Sequence, residues 1–159
     1  MAVLVFPFGY LSCFARQVTG SDNPKAVWDW ISARGTGTDM GENNRLDIAE
    51  ELNRLFDGLG PFWAKPNKMD WPDVPFRTEG ITFAPMGEHR VCDVQAQAAS
   101  SCFQMFNPPT EGGQMLMGLP MLNRLRALPG VAVWPFDTRQ VAPVVLAVLW
   151  PGPLYPLVQ

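Results

Sequence analysis

Two short apolar segments near opposite ends of the chain do most to constrain its fold. One covers residues 2–6 and the other residues 131–134, and each runs directly into a Pro-Phe pair. All-apolar runs of this length, rich in valine, are typical of strands buried on both faces of a parallel or mixed sheet. In α/β proteins, ligands and catalytic groups collect where such strands end. We therefore expect an α/β fold with a site at the two Pro-Phe strand ends.

Two helices are predicted in the first third of the chain. Asn23 is a suitable N-cap residue and Pro24 fits the first helical position, so a helix should begin there and end at Gly35. A second helix is predicted over residues 42–57, where apolar residues follow the i, i+3, i+4, i+7 pattern. Gly58 then stands where a C′ glycine is expected.

The last third predicts a helix followed by two strands. Apolar residues at helical spacing indicate a helix over residues 113–128, although Pro120 should weaken or kink it. Strands are predicted at 131–134 and 144–150. This order of elements indicates an α/β or α+β domain.

The middle of the chain, from about residue 60 to 107, has no clear periodicity. Prolines and two tryptophans in this stretch suggest an irregular excursion over the surface, with short strands near 81–84 and 90–94. The 159 residues are enough for one domain that buries roughly 70% of its unfolded surface. We therefore predict a single domain over residues 1–159.

Charge and cysteine content narrow the class of protein. The net charge of −3 gives no overall indication of nucleic-acid binding. Three cysteines make an odd number without a CxxC pair, which favours reduced thiols over disulfides or structural zinc. The N-terminus lacks the basic region of a signal peptide, and prolines interrupt the apolar tail. We expect a cytoplasmic protein without a membrane segment.

Two neighbouring features could bind an anion. The turn Glu111-Gly112-Gly113-Gln114 leads into a helix, and glycines at a helix start allow a phosphate to approach exposed N–H groups. A plain Gly-rich turn would explain the same residues. Arg45 stands in the first turn of a predicted helix, where a cation opposes the helix dipole. This placement suggests that Arg45 reaches a carboxylate or a bound anion.

Asp137 is the best single candidate for a catalytic or metal-binding acid. It follows an apolar strand and a Pro-Phe pair, where a polar group is unexpected without a role. Aspartate is also a good turn residue, and both interpretations stay open. The sole histidine, His89, is expected to face solvent in a loop.

Several of these segments occur in the same order in a known family. They are Phe6-Pro7-Phe8-Gly9-Tyr10, Asn43-Asn44-Arg45 with Leu52-Asn53, Gly60-Pro61-Phe62-Trp63, Gln114 through Gly118-Leu119-Pro120 with Leu125-Arg126, Val133-Trp134-Pro135-Phe136-Asp137, and Val145-Leu146-Ala147 with Trp150-Pro151. Through them the chain resembles bacterial proteins with a ribonuclease-H-like fold, from a broad family of unknown function described as predicted nucleases. Some close members carry the label "molybdopterin guanine dinucleotide synthesis".

The resemblance implies a mixed sheet with flanking helices, and it places the family's acids on residues that are not acidic here. The sequence starts after the point where family members carry an earlier, aspartate-bearing strand. The acid before Phe-Pro-Phe-Gly would fall at Val5 and a glutamate near the C-terminal strand at Val148. Carboxylates in such enzymes hold divalent metals, and valine offers no oxygen to Mg²⁺. Asp137, as the metal ligand, and Glu111 are the acids that remain.

Three functions stay open on this basis. The favoured one is a catalytically inactive or truncated ribonuclease-H-like domain with a binding or assembly role, in which an exposed sheet edge supports a homo-oligomer. The second is a metal-dependent nuclease or phosphodiesterase with a divalent metal such as Mg²⁺. It would use Asp137, Glu111 and acids from the middle segment, such as Asp70, Asp73 or Asp93. The third is a protein that binds a nucleotide or a molybdopterin-related cofactor through Arg45 and the Gly-rich turn.

Overall fold

In the computed structural model, the apolar segments at the two ends of the chain pair in one sheet. Strands β1 (Ala2–Phe6), β2 (Val131–Trp134) and β3 (Val144–Val148) lie in the order β1-β3-β2, and both pairings are parallel. The structure describes residues 2–6, 9–38, 41–67, 69–95, 99–108, 110–137 and 142–148. The predicted α/β class is confirmed, and no antiparallel strand joins the sheet within these ranges.

Five helices are described around this sheet. They are α1 (Ser12–Thr19), α2 (Pro24–Ser32), α3 (Arg45–Asn53), α4 (Val91–Gln95) and α5 (Gly112–Arg126). Helix α5 packs against β2, α2 and α3, and α1 packs against α2. None of the helices in the described ranges is long and apolar enough to cross a membrane.

The first predicted helix is confirmed as α2. The Oδ1 atom of Asn23 accepts a hydrogen bond from the Lys25 amide at 3.1 Å, so Asn23 caps the helix as expected. Pro24 occupies the first helical position. The predicted inner face, which includes Trp28 and Ile31, is fully buried.

The second predicted helix is shorter than expected. Helix α3 begins at Arg45 and ends at Asn53, rather than running over residues 42–57. The buried Asn53 side chain accepts a hydrogen bond from the Phe62 amide and donates to the Phe62 and Asp73 carbonyls. These bonds anchor the following segment beside the end of α3. The chain therefore leaves the helix before Gly58, which lies in a later turn with a φ of 75°.

The third predicted helix is confirmed as α5, and it continues through Pro120. Its predicted inner residues Met115, Leu116, Leu119 and Leu122 are buried. A Cβ added at Gly35 would lie 3.2 Å from Cγ of Pro120. Pro120 therefore packs closely against the loop that follows α2.

Two helices were not predicted. Helix α1 buries Phe14, Ala15 and Val18, although its sequence contains several residues of low helix propensity. The strand expected at residues 90–94 is wrong, because α4 occupies Val91–Gln95. The Asp93 carboxylate accepts a hydrogen bond from the Arg90 amide at 2.9 Å and thereby favours a helical turn.

The middle segment contributes directly to the core. Phe62, Val74 and Phe103 are buried in the same apolar cluster as residues of α1, α2, α3, α5 and the sheet. The expectation that residues 60–107 run over the surface is therefore wrong for these side chains. Little regular structure occurs within the described part of this segment. Besides α4 it contains two isolated bridges, between Leu59 and Ile81 and between Trp63 and Gln104. His89 is exposed, as predicted.

Candidate functional site

Asp137 occupies a turn directly after β2, where its side chain is engaged on both oxygens. Oδ1 accepts a hydrogen bond from Nζ of Lys25 at 2.6 Å, and Oδ2 accepts one from the Val133 amide at 2.9 Å. Burial alone raises the pKa of Asp137, but the bonds from Lys25 and Val133 outweigh it, so this pKa lies below its ordinary value. Asp137 thus stabilises the turn and forms an ion pair with Lys25 of α2.

The cavity beside Asp137 is electrically balanced. It measures about 370 Å³ and is lined by Lys25, Asp29, Arg126 and Asp137, among others. Arg126 donates to Oδ1 of Asp29 at 2.6 Å, just as Lys25 donates to Asp137. Each cation is therefore matched by a carboxylate, and the cavity offers an anion no unneutralised positive charge.

Glu111, at the N-cap position of α5, is bound to Arg90. The Arg90 guanidinium also donates to both oxygens of Asp93 and, at 3.3 Å, to the carbonyl of Gly9. Burial raises the pKa of Glu111, and the charge of Arg90 offsets this only in part. The cluster ties α4 and the chain after β1 to the start of α5. It accounts for Glu111 without a ligand.

Asp137 and Glu111 lie at opposite ends of α5. Glu111 precedes the first residue of the helix, whereas the cavity of Asp137 is lined by Asn123, Arg126 and Ala127 at its end. A helix of 15 residues is about 22 Å long. The two acids cannot share one metal at this distance. In the described part of the chain, no group of three or more His, Cys, Asp and Glu residues is placed to hold a metal ion.

Arg45, Gly113 and Gln114 do converge. They line one groove of about 400 Å³ at the start of α5, together with residues 105–108. A Cβ added at Gly113 would lie 3.0 Å from Cδ and 3.2 Å from Nε of Arg45. The partly buried Arg45 side chain therefore lies against the backbone of the first helical turn. Glycine at position 113 makes this approach possible.

Gly112 has a different role from its neighbour. A Cβ at Gly112 would meet the carbonyl oxygens of Gln104 and Cys102 at 2.7 and 2.8 Å, and its amide donates to the Gln104 carbonyl. Gly112 is buried, and it does not line the groove. Of the two explanations for the Gly-rich turn, plain packing therefore accounts for Gly112, while Gly113 belongs to the groove.

A neighbouring cavity was missed by the sequence reasoning. It measures about 630 Å³ and lies between α5 and the loop after α2, which contains Gly35-Thr36-Gly37-Thr38. The closely spaced glycines and threonines were a visible signal for a polar loop. Asn44 holds this loop, since its side chain accepts from the Thr36 amide and donates to the Arg34 carbonyl.

Comparisons with models of protein families, with curated proteins and with solved structures found no match. Membership of the ribonuclease-H-like family therefore stays a prediction from the sequence segments that suggested it.

Proposed function

We propose that this chain is a non-catalytic α/β domain with a ribonuclease-H-like fold, and that it binds a phosphate-bearing ligand such as a nucleotide at the start of α5. The observation that carries the proposal is the position of Arg45. Its side chain lies against Gly113, and its one described side-chain hydrogen bond runs from Nη1 to Oδ1 of Asn43 at 2.9 Å rather than to a carboxylate. A half-buried cation with no neutralising partner in the described structure favours a bound anion.

The surroundings of Arg45 suit a phosphate. A helix start carries backbone N–H groups without helical partners and the positive end of the dipole, and Gly113 and Gln114 at the start of α5 line the groove. The Gly112 amide is bonded to the Gln104 carbonyl instead. Thr110 and Gln114 line the same groove, and the Thr110 hydroxyl donates to the Gln104 carbonyl at 2.8 Å. Glu111 stands between Thr110 and Gln114 in the chain, but it does not line the groove and it pairs with Arg90, which also pairs with Asp93.

A lack of catalysis is supported by the strand ends. Val5 pairs with Ala147, and Val148 pairs with Phe6, at the carboxyl ends of adjacent strands β1 and β3. These are the positions where the resemblance calls for acids. Asp137, the acid that remains, is already bonded to Lys25 and to the Val133 amide.

The proposal also includes a homo-oligomer and a cytoplasmic location. The strands β1 and β2 form the outer edges of the described sheet, so self-association through an edge is tested by light scattering after gel filtration. Cys13 and Cys102 are free, and burial raises the pKa of Cys102 to about 12, which leaves that thiol unreactive. Free thiols are in keeping with a cytoplasmic location.

Arg45→Ala tests the proposed site. We expect GTP, titrated into the protein without divalent metal, to bind the parent and to bind this variant about tenfold more weakly, the loss typical of one charge-assisted contact. Arg77 is the matched control, because it is exposed, lacks a described carboxylate partner and lies outside the groove. Arg77→Ala should bind like the parent.

Two results would contradict the proposal. One is equal binding of GTP and inorganic pyrophosphate by the parent and Arg45→Ala, or no binding of either by the parent. The other is Mg²⁺-dependent cleavage of a labelled oligonucleotide that disappears in Asp137→Asn, which would support the nuclease function instead.

A further inference from the structure

The groove at Arg45 continues into the neighbouring cavity. The two cavities share Asn43 and Met117 in their linings, so together they form one depression along the side of α5. We call it the α5 trough. Its first end is lined by Arg45 and Gly113 and its second end by Pro120 and Arg124.

Arginines without carboxylate partners are concentrated in this trough. Five arginines of the described structure are paired with an aspartate or glutamate: Arg16, Arg34, Arg54, Arg90 and Arg126. Arg77 has no such partner among the described residues, but it lies outside the trough. Arg45 and Arg124 form no described salt bridge, and both line the trough. Gly113, beside Arg45, and Arg124 are eleven positions apart in α5, which corresponds to about 16 Å along the helix.

The walls between the two arginines are largely uncharged and combine apolar side chains, such as Met117, with polar ones. Hydroxyl groups of Thr36 and Thr38 line the second part, and Oγ of Ser32 there is buried without a hydrogen-bond partner in the described structure. Beside Arg45, the first part is lined by Phe106, an exposed aromatic side chain. Cations, hydroxyl groups and an exposed ring together suit a ligand that has phosphates and a flat base.

We propose that the α5 trough binds a short single strand of nucleic acid. This inference rests on the proposed function and specifies its ligand. A stacked strand advances about 3.4 Å along its axis for each nucleotide, and each nucleotide carries one phosphate. Arg45 and Arg124 would therefore contact phosphates about four or five nucleotides apart. A mononucleotide spans only one of the two ends. Phe106 gives a base a surface on which to stack, which an acidic peptide would not use.

Glu42 tests the charge of the ligand, because its own charge is opposite to that of the two arginines. It is exposed and is the one carboxylate among the described residues that line the trough. A carboxylate repels a polyanion, so Glu42→Gln should tighten binding of the strand. The same substitution would weaken binding of a cationic ligand.

The experiment uses fluorescein-labelled (dT)8 and (U)8, with fluorescence anisotropy measured from 50 to 200 mM salt. We expect Arg124→Ala and Arg45→Ala each to weaken binding about 5- to 10-fold, and Glu42→Gln to strengthen it about 2- to 3-fold. Two phosphate contacts to a single strand give a slope of log K against log salt of about −1.4, and each arginine variant should reduce it to about −0.7. Arg77→Ala should keep the affinity and slope of the parent.

Mononucleotide binding separates the two proposals. Arg124→Ala should bind GTP as the parent does, because GTP needs only the end at Arg45. Suppose that GTP binding depends on Arg45 while (dT)8 and (U)8 bind equally to the parent and to Arg124→Ala. The proposal of a strand bound along the trough is then wrong, and the proposed function stands. Equal affinity of the parent for an octaglutamate peptide would also overturn the nucleic-acid ligand. Failure of both GTP and the oligonucleotides to bind would overturn both proposals.

Discussion

A partly buried charge must find partners, and the two candidate acids, Asp137 and Glu111, find them within the fold. Asp137 receives hydrogen bonds from Lys25 and the Val133 amide, and Glu111 receives one from Arg90. Their environments nevertheless act on the two pKa values in opposite directions. Burial dominates at Glu111 and raises its pKa, whereas hydrogen bonds overcome burial at Asp137 and lower its pKa. The two acids therefore contribute oppositely to stability as the pH falls.

The pH dependence of unfolding should show these opposite signs. A lowered folded-state pKa means that Asp137 stabilises the protein above its unfolded pKa of about 3.9, and that this contribution is lost as the pH falls through the folded value. A raised pKa means that Glu111 takes up a proton more readily in the folded state. The protein therefore gains stability as the pH falls from neutral through that value.

Urea unfolding of the parent, Asp137→Asn and Glu111→Gln between pH 7 and pH 3 measures both contributions. The free energy of unfolding of the parent relative to Asp137→Asn should decrease below about pH 4. Relative to Glu111→Gln it should increase as the pH falls from 7 toward about 4.5. A parallel course of the parent and either variant at all pH values would show that the acid concerned has no shifted pKa.

At the scale of elements, the two glycines at the start of α5 have different roles: Gly112 is needed for packing, and Gly113 allows Arg45 to approach the helix. The Gly112 position faces the carbonyl oxygens of Gln104 and Cys102, which cannot move easily, so Gly112→Ala should destabilise the protein by about 2–3 kcal/mol. The Gly113 position faces the flexible side chain of Arg45. Gly113→Ala should change stability by less than about 1 kcal/mol, since alanine also favours the helix.

The loss of GTP affinity should be larger for Gly113→Ala than for Gly112→Ala, the reverse of their effects on stability. Gly113→Ala displaces Arg45 from the first turn of α5, so its affinity for GTP should fall although its stability is kept. Thermal unfolding and GTP titration of the two variants measure both effects. A Gly113→Ala variant that binds GTP like the parent would show that the close approach of Arg45 to the helix is not needed for the ligand.

Elements with local signals could be predicted from the sequence, and those defined by distant contacts could not. The cap at Asn23 and the apolar period of α5 depend on neighbours within a few residues, and both were predicted. The early end of α3 depends on bonds from Asn53 to Phe62 and Asp73, farther along the chain. No pattern within the helix reveals these bonds.

The same distinction applies to the candidate site. Arg45 was noticed because a cation in a first helical turn is locally unfavourable, and the groove at Gly113 and Gln114 was suspected from the glycines alone. The partner of Asp137 is Lys25, which is 112 residues away in the chain. The sequence therefore left open whether this acid was catalytic or structural. The cavity that extends the groove to Arg124 depends on packing between α5 and the loop after α2.

At the scale of the whole molecule, one apolar cluster joins the ends of the chain to its irregular middle. Phe62 and Phe103 from the middle segment contact each other and the ring of Phe14 in α1. The same cluster includes Val133 of β2 and Leu146 of β3. A segment that shares its core in this way should unfold together with the helices and the sheet. The prediction of one domain can be tested on this point.

Phe62→Ala should therefore destabilise the whole protein by about 3–5 kcal/mol, because Phe62 is 0% exposed and its removal leaves a cavity. Phe76, which is 41% exposed in the same segment, is the matched control, and Phe76→Ala should cost less than about 1 kcal/mol. Urea unfolding is followed by circular dichroism, which reports the helices, and by tryptophan fluorescence. Trp28 in α2 and Trp63 in the middle segment make the fluorescence sensitive to both regions.

One cooperative domain requires the two signals to change together in the parent and in both variants, with the midpoint lowered strongly only in the Phe62 variant. If Phe62→Ala does not fold, Phe62→Leu keeps the test, since it should cost about 1–1.5 kcal/mol and still shift both signals equally. A fluorescence transition that moves while the circular dichroism transition stays in place would contradict this. The middle segment would then unfold separately from the helices and the sheet, and the trough residues at 105–108 would be held independently of the remaining trough wall.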